Sequence, residues 1–270
     1  MNIKTLLFAA LLTIASSAAM AAETLILNPY NTITFEELGN QPLDNIGWTG
    51  GGASTLFGTA PLYTGNPSSY VVQASGTVKL TAVSPAQTMP EEFTNAATGE
   101  LLYFSAWIVK NGGGGGVVFS TNSSASLYGS VIAGFGIADG ANGTFTYFNG
   151  TSMAFSSVVA GRNIWYELVY VIDFNREDPG LSLGYLYYRD LNTSTYEIVP
   201  EVNGLQLTWL ANANQNLLDF AYYRIDGARN NMQLDHFSVG QVIPEPSTVA
   251  VLLTGAISLV YFRRKRFCKS

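Results

Sequence analysis

Apolar and polar positions alternate along most of this chain. In NIWYELVYVIDF, residues 163–174, Tyr166, Leu168, Tyr170, Ile172 and Phe174 fall on one face, and Trp165, Glu167, Val169, Val171 and Asp173 on the other. A period of two predicts a strand. The acidic turn NREDPG follows, and LSLGYLYY then puts Leu181, Leu183, Tyr185 and Tyr187 on a shared face, so the two runs pair as a hairpin. Similar runs are SYVVQA, VKLTAV, LLYFSAWIVK, GVVFS, SVIAGFGIA, GTFTYFN, YEIVP, LQLTWL, FAYYRI and LDHFSVG, punctuated by Gly, Asn, Asp and Pro. No amphipathic helix interrupts them. More than ten short strands predict an all-β, two-sheet antiparallel sandwich, because one flat sheet of that size leaves both faces wet.

Both ends break the pattern. At the start, Lys4, the apolar run Leu6 to Ala15 and the small-residue box Ala19-Met20-Ala21 stand in the order of a secretory signal peptide over residues 1–21, with signal peptidase cutting before Ala22. At the far end, Pro244-Glu245-Pro246 forbids regular pairing. An apolar run from Thr248 to Phe262 follows, about 22 Å long as a helix against about 30 Å of bilayer hydrocarbon. Arg263, Arg264, Lys265 and Arg266 then stop transfer and stay cytoplasmic. The expected organisation is a signal peptide (1–21), a β domain (22–241) and a membrane-visiting tail (242–270).

Charge supports export. Residues 22–243 hold 18 acidic and 7 basic side chains, a net charge of −11. Such a surface repels nucleic acid and anionic headgroups. The sole cysteine, Cys268, lies beyond the arginines, so no disulfide forms within the domain.

Little in the sequence spells out chemistry. His236 is the only histidine, and alternation places it with Leu234 and Ser238 as a strand histidine with a local partner. No G-x-S-x-G elbow occurs, and one histidine without an exported cysteine cannot build a zinc centre. The glycines after Lys110 lack a following Lys-Ser/Thr pair and read as a turn. Asp173, Asn175 and Glu177 are spaced like a calcium loop, but Asp178 and Gly184 stand where it needs glycine and glutamate. Glu36-Glu37, Glu91-Glu92 and Glu177-Asp178 are adjacent pairs, whose members point to opposite faces of a strand. The densest tyrosine group is Tyr185, Tyr187, Tyr188, Tyr222 and Tyr223, which serves either to stack sugars or to cover a sandwich face.

The motif order from Phe35 to Gly240, with LLYFSAWIVKNGGGGGVVFS, AGFGIADGANGTFTYFN, NIWYELVYVIDF, LSLGYLYYRDLN and AYYRIDGARNNMQLDHFSVG, resembles the laminin-G-like, concanavalin-like jelly roll. That resemblance implies glycan or protein binding, less often glycoside cleavage. Enzymes on that fold often carry E-x-D-x-E on one strand, which is absent here, so the domain is expected to be non-catalytic. A secreted glycoside hydrolase or polysaccharide lyase is the alternative. First and last strands are neighbours in such folds, and some hold calcium there. Glu37 would share a face with Ile33 and Phe35, and Asp235 with Phe237 and Val239, making Glu36, Glu37 and Asp235 the candidate ligands of a structural calcium. An arginine partner such as Arg224, or simple exposure at the sheet rim, is the better account of them.

The tail, with Pro244, Glu245, Pro246 and Ser247, the short apolar segment and the basic cluster, resembles the PEP-CTERM sorting signal. That implies processing by exosortase at the inner membrane of a Gram-negative bacterium. The product would be presented at the cell surface or in the extracellular matrix, where an extracellular polysaccharide or a surface protein is the expected partner.

Overall fold

The structure, a computed structural model, describes residues 24–50, 56–62, 68–74, 80–85, 87–88, 97–120, 131–140, 143–212, 220–229 and 231–243. The signal peptide, the Pro244–Ser247 motif, the apolar run after it and the basic cluster Arg263–Arg266 lie outside these residues, as do Glu91 and Glu92. Among the described residues no helix is long and apolar enough to cross a membrane.

The strands are β1 (Ile26–Ile33), β2 (Leu56–Thr59), β3 (Val71–Ala74), β4 (Leu80–Val83), β5 (Gln87–Thr88), β6 (Leu101–Val109), β7 (Gly115–Ser120) and β8 (Val131–Ile137). They continue with β9 (Thr144–Phe148), β10 (Met153–Val159), β11 (Tyr166–Asp173), β12 (Leu183–Asp190), β13 (Glu197–Gln206), β14 (Phe220–Ala228) and β15 (Gln233–Ile243). All pairings are antiparallel. The first sheet runs β13-β12-β11-β6-β15-β3-β2, with β1 on the upper half of β15; the second runs β10-β9-β8-β7-β14-β4, with β5 also on β14. First and last strands are neighbours, as expected of a jelly roll.

The two sheets bury one core. From β6, Leu102, Phe104, Ala106 and Ile108 point inward, and from β11 Tyr166, Leu168, Tyr170 and Ile172 do the same, as the alternation predicts. Opposite them stand Val117, Phe119, Phe135, Phe145, Tyr223 and Ile225. The hairpin also forms as predicted, with Tyr170 paired to Leu186 and Val169 to Tyr187. Its turn is a short 3-10 helix, Pro179–Leu181, where the Asp178 carboxylate accepts the Gly180 amide at 3.1 Å.

Three local expectations fail. LQLTWL is not a strand throughout: β13 ends at Gln206, and Thr208–Asn212 is a 3-10 turn that lays Trp209 edge-on against Phe148, with its indole N–H donating to the Ile132 carbonyl at 3.2 Å. Gly115 and Gly116 belong to β7 and not to a turn. The third concerns β15. Leu234 pairs with Ile108 and Asp235 with Trp107, the register then breaks, and it resumes with Ser238 on Ser105 and Val239 on Phe104. His236 and Phe237 together therefore oppose Ala106, a β-bulge, with His236 in the left-handed region at φ 48°. Alternation had placed Asp235 on the core row with Phe237 and Val239. The extra residue instead sends Asp235 to the outward row with Trp107, while Phe237 packs on Phe35 and Tyr223 in the core. Glu37 also leaves its predicted row, because β1 stops at Ile33 and Glu36–Leu38 turns as a 3-10 helix with both glutamates exposed.

Candidate functional site

The outward face of the first sheet carries a cavity of about 440 Å³, walled by residues 24–32 of the first strand and its approach. Its floor is set by cross-strand rows. Arg189, Glu167, Trp107 and Asp235 lie side by side on β12, β11, β6 and β15. Four neighbouring strands span roughly 14 Å. The next row brings Ser105, Ser238 and Thr32 together, and the one after it Tyr103, Gly240 and Pro29. Gly240 is required there: a Cβ would stand 2.7 Å from the Tyr103 ring and 2.1 Å from the Asn28 carbonyl.

Glu167 is the hub of one end. Its Oε2 accepts from Arg189 Nε at 2.6 Å and from the Tyr196 hydroxyl at 2.7 Å, and it forms an ion pair with Arg189 Nη2 at 2.6 Å. The guanidinium lies 4.8 Å from the Tyr196 ring centroid and 5.6 Å from that of Trp107. This aromatic clasp fixes a cation at the groove. The bonds use Nε and Nη2, so Nη1 remains for an anion, and the side chain is 29 % exposed. Burial and the Glu167 charge push the Tyr196 phenol far up.

The other end is the bulge. His236 Nδ1 lies 2.8 Å from Asp235 Oδ2 and 3.1 Å from Ser68 Oγ. An Nδ1–H donated to the carboxylate puts the lone pair of the neutral ring on Nε2. That hydrogen bond raises the His236 pKa above its ordinary value; burial opposes it, and the charges of Asp235, Glu167 and Glu36 add to it. Between the two ends, Ser238 donates to the Asn31 carbonyl at 3.2 Å, and its oxygen meets the Tyr103 hydroxyl at 3.3 Å and Thr32 Oγ1 at 3.0 Å. With its proton on Asn31, Ser238 accepts from Tyr103. Burial pushes the Tyr103 phenol up to about 12, so it holds its proton at neutral pH.

The residues picked out by sequence fare unevenly. Asp235 is here, holding His236. Glu36 is not: its Oε1 accepts the Ser69 and Tyr70 amides at 2.6 and 3.1 Å, fixing the segment that carries Ser68. Among the described residues no three His, Cys, Asp or Glu side chains converge, and Glu36 and Glu37 sit on the exposed 3-10 turn while Asp235 lies beneath His236. Nor do the tyrosines make one platform. Tyr185 and Tyr187 cover the outward face beside Val169 and Val171, and Tyr188 packs inward on Phe145. Tyr223 is wholly buried in the core, and Tyr222 is half-buried on the second sheet. Glu167, Arg189, Tyr196, Tyr103 and Trp107 were not singled out at all. The hairpin register does set Glu167 opposite Arg189, an opposite-charge cross-strand pair, and was the available signal.

No family model matches the chain, and no curated protein matches it. Several solved structures superpose on the chain, each with a TM-score below 0.5. An alginate lyase from Aplysia kurodai superposes with a TM-score of 0.48 at 11 % identity, over 79 % of this chain and 99 % of that one. The alginate lyase Aly36B, solved as a mutant with an alginate trisaccharide, gives 0.42 at 9 %, over 81 % and 100 %. A tailspike protein of an Escherichia coli bacteriophage gives 0.42 at 13 %, over 83 % of this chain and 29 % of that one. The expectation of a non-catalytic domain is withdrawn. That expectation followed from the missing E-x-D-x-E pair, which bears on glycoside hydrolysis alone, whereas the groove presents a histidine, tyrosines and an arginine.

Proposed function

We propose that the protein is an exported polysaccharide lyase that cleaves uronate-containing chains in the groove by β-elimination. The observation that supports this best is the bulge, which turns His236 into the cavity that also holds Tyr103 and Arg189. Elimination next to a carboxylate needs a cation on that carboxylate, a base for the C5 proton and an acid for the departing O4. Arg189 Nη1 binds the carboxylate, and the charge it neutralises is the one that grows as C5 loses its proton. His236 Nε2 takes that proton, the C5–H electrons form the C4=C5 bond, and the C4–O4 bond breaks. Tyr103 gives O4 its proton. No water is consumed, and the two side chains re-equilibrate through solvent. Trp107 offers a ring beside the cation for a neighbouring sugar.

Hydrolysis suits the groove less. Its carboxylates, Glu167 and Asp235, already serve Arg189, Tyr196 and His236. Neither is free to attack or protonate a glycosidic bond. The test is loss of viscosity of polyuronates and of neutral polymers. The protein should thin polyuronates only, and His236→Gln should thin neither; thinning of neutral polymers alone would contradict the reading.

We further propose that the tail is a sorting signal, so the enzyme reaches the surface after exosortase cuts at Pro244-Glu245-Pro246. Support comes from the apolar run, too short for a permanent span. Mass spectrometry of the surface form should find no residue from Thr248 to Ser270. An intact Ser270 contradicts it.

A further inference from the structure

The second sheet has a trough of its own. One row crosses five strands, with Asp226 on β14, Gly116 on β7, Gly136 on β8, Thr146 on β9 and Phe155 on β10. The flanking residues Ile225, Val117, Phe135 and Phe145 all point into the core, so this row faces outward. The two central positions carry no side chain and cannot. A Cβ on Gly116 would stand 2.4 Å from the Phe135 carbonyl, and one on Gly136 2.3 Å from the Gly115 carbonyl. A bare floor roughly 14 Å wide therefore lies between Asp226 and Thr146. The cavity over it measures about 460 Å³. At its far rim Phe155 is 71 % exposed, beside Met153 and Ser152.

We propose that this trough is a second carbohydrate-binding site, for neutral sugars, on the face of the sandwich opposite the groove. A sugar ring has an apolar C–H face and a polar rim. Phe155 offers the stacking surface, the glycine floor lets the ring approach the sheet closely, and Asp226, Thr146 and Ser152 line the edge where hydroxyls would sit. Charge selects the class. Among the described residues, the charged side chains lining the trough are Asp139 and Asp226, and Arg229 nearby is held by Asp139. Carboxylates accept from hydroxyls and repel uronates, so this site complements the cationic groove and does not duplicate it. The strands that floor the trough, β7, β8 and β9, are each paired on both sides, so a peptide strand cannot add to the floor itself.

The test is titration of the exported protein with neutral and polyuronate hexasaccharides, followed by isothermal calorimetry, against Phe155→Ala and Trp107→Ala. Phe155 is exposed, so its variant should melt with the wild type. Neutral oligosaccharide binding should fall at least tenfold in Phe155→Ala and stay unchanged in Trp107→Ala, while polyuronate thinning persists in Phe155→Ala. The trough is not a sugar site if the wild type binds no neutral hexasaccharide at millimolar concentration. The same conclusion follows if Phe155→Ala binds as well as wild type, or if peptides occupy the trough and sugars do not. Loss of polyuronate cleavage in His236→Gln bears only on the groove.

Discussion

In the elimination proposed for the groove, His236 and Tyr103 divide the proton work, and each role has a measurable consequence. His236 must be neutral to act as base, and its pKa is raised by Asp235, so the acid limb of kcat/KM should fall with an apparent pKa above the ordinary 6.5. Asp235→Asn removes the carboxylate and should move that limb to lower pH, as well as reducing the rate; a limb that stays put would remove Asp235 from this role. Stability follows the same linkage with a definite sign. A pKa raised by folding stabilises the protein fully below the unfolded value and ceases to as pH rises through the folded one. The melting advantage of wild type over His236→Gln should therefore be largest in acid and shrink above neutrality. Tyr103→Phe should cost roughly 10²- to 10⁴-fold in kcat and only about 1 kcal/mol in stability, since it deletes the acid but only one hydrogen bond, to Ser238. A variant with wild-type kcat would assign the acid elsewhere.

At the scale of the element, the bulge in β15 separates what sequence can and cannot convey. Alternation in β6 and β11 gave the inward rows correctly because Leu102 to Ile108 and Tyr166 to Ile172 keep an unbroken period of two. The same rule misplaced Asp235, since one extra residue flips everything beyond it and no Gly or Pro marks the spot. Glu167 and Arg189 were legible in principle as a pair across the hairpin, whereas Tyr103 and Tyr196 meet them only through strand order. Deleting His236 tests the bulge directly. Phe237 would then face Ala106 in a regular ladder, so the fold should survive while cleavage disappears; retained cleavage would deny the bulge its function. Gly240→Ala should be worse for the fold, by about 1–3 kcal/mol, because its Cβ meets Tyr103 and the backbone of β1.

At the scale of the whole molecule, the proposed reaction would set an acidic domain against an acidic substrate. The net charge of −11 over residues 22–243 repels a polyuronate at long range, while Arg189 attracts it locally. Raising ionic strength from about 10 to about 100 mM shortens the Debye length from about 30 to about 10 Å, so kcat/KM on long chains should rise over that range. A steady fall would mean that cationic steering dominates. Elimination in the groove is read out by the chemistry of its products. Mass spectrometry of oligouronate products should show new ends lighter by one water than hydrolytic ends, with the ultraviolet absorbance of a C4=C5 double bond, all absent in His236→Gln. Saturated ends, heavier by that water, would show hydrolysis and contradict the account.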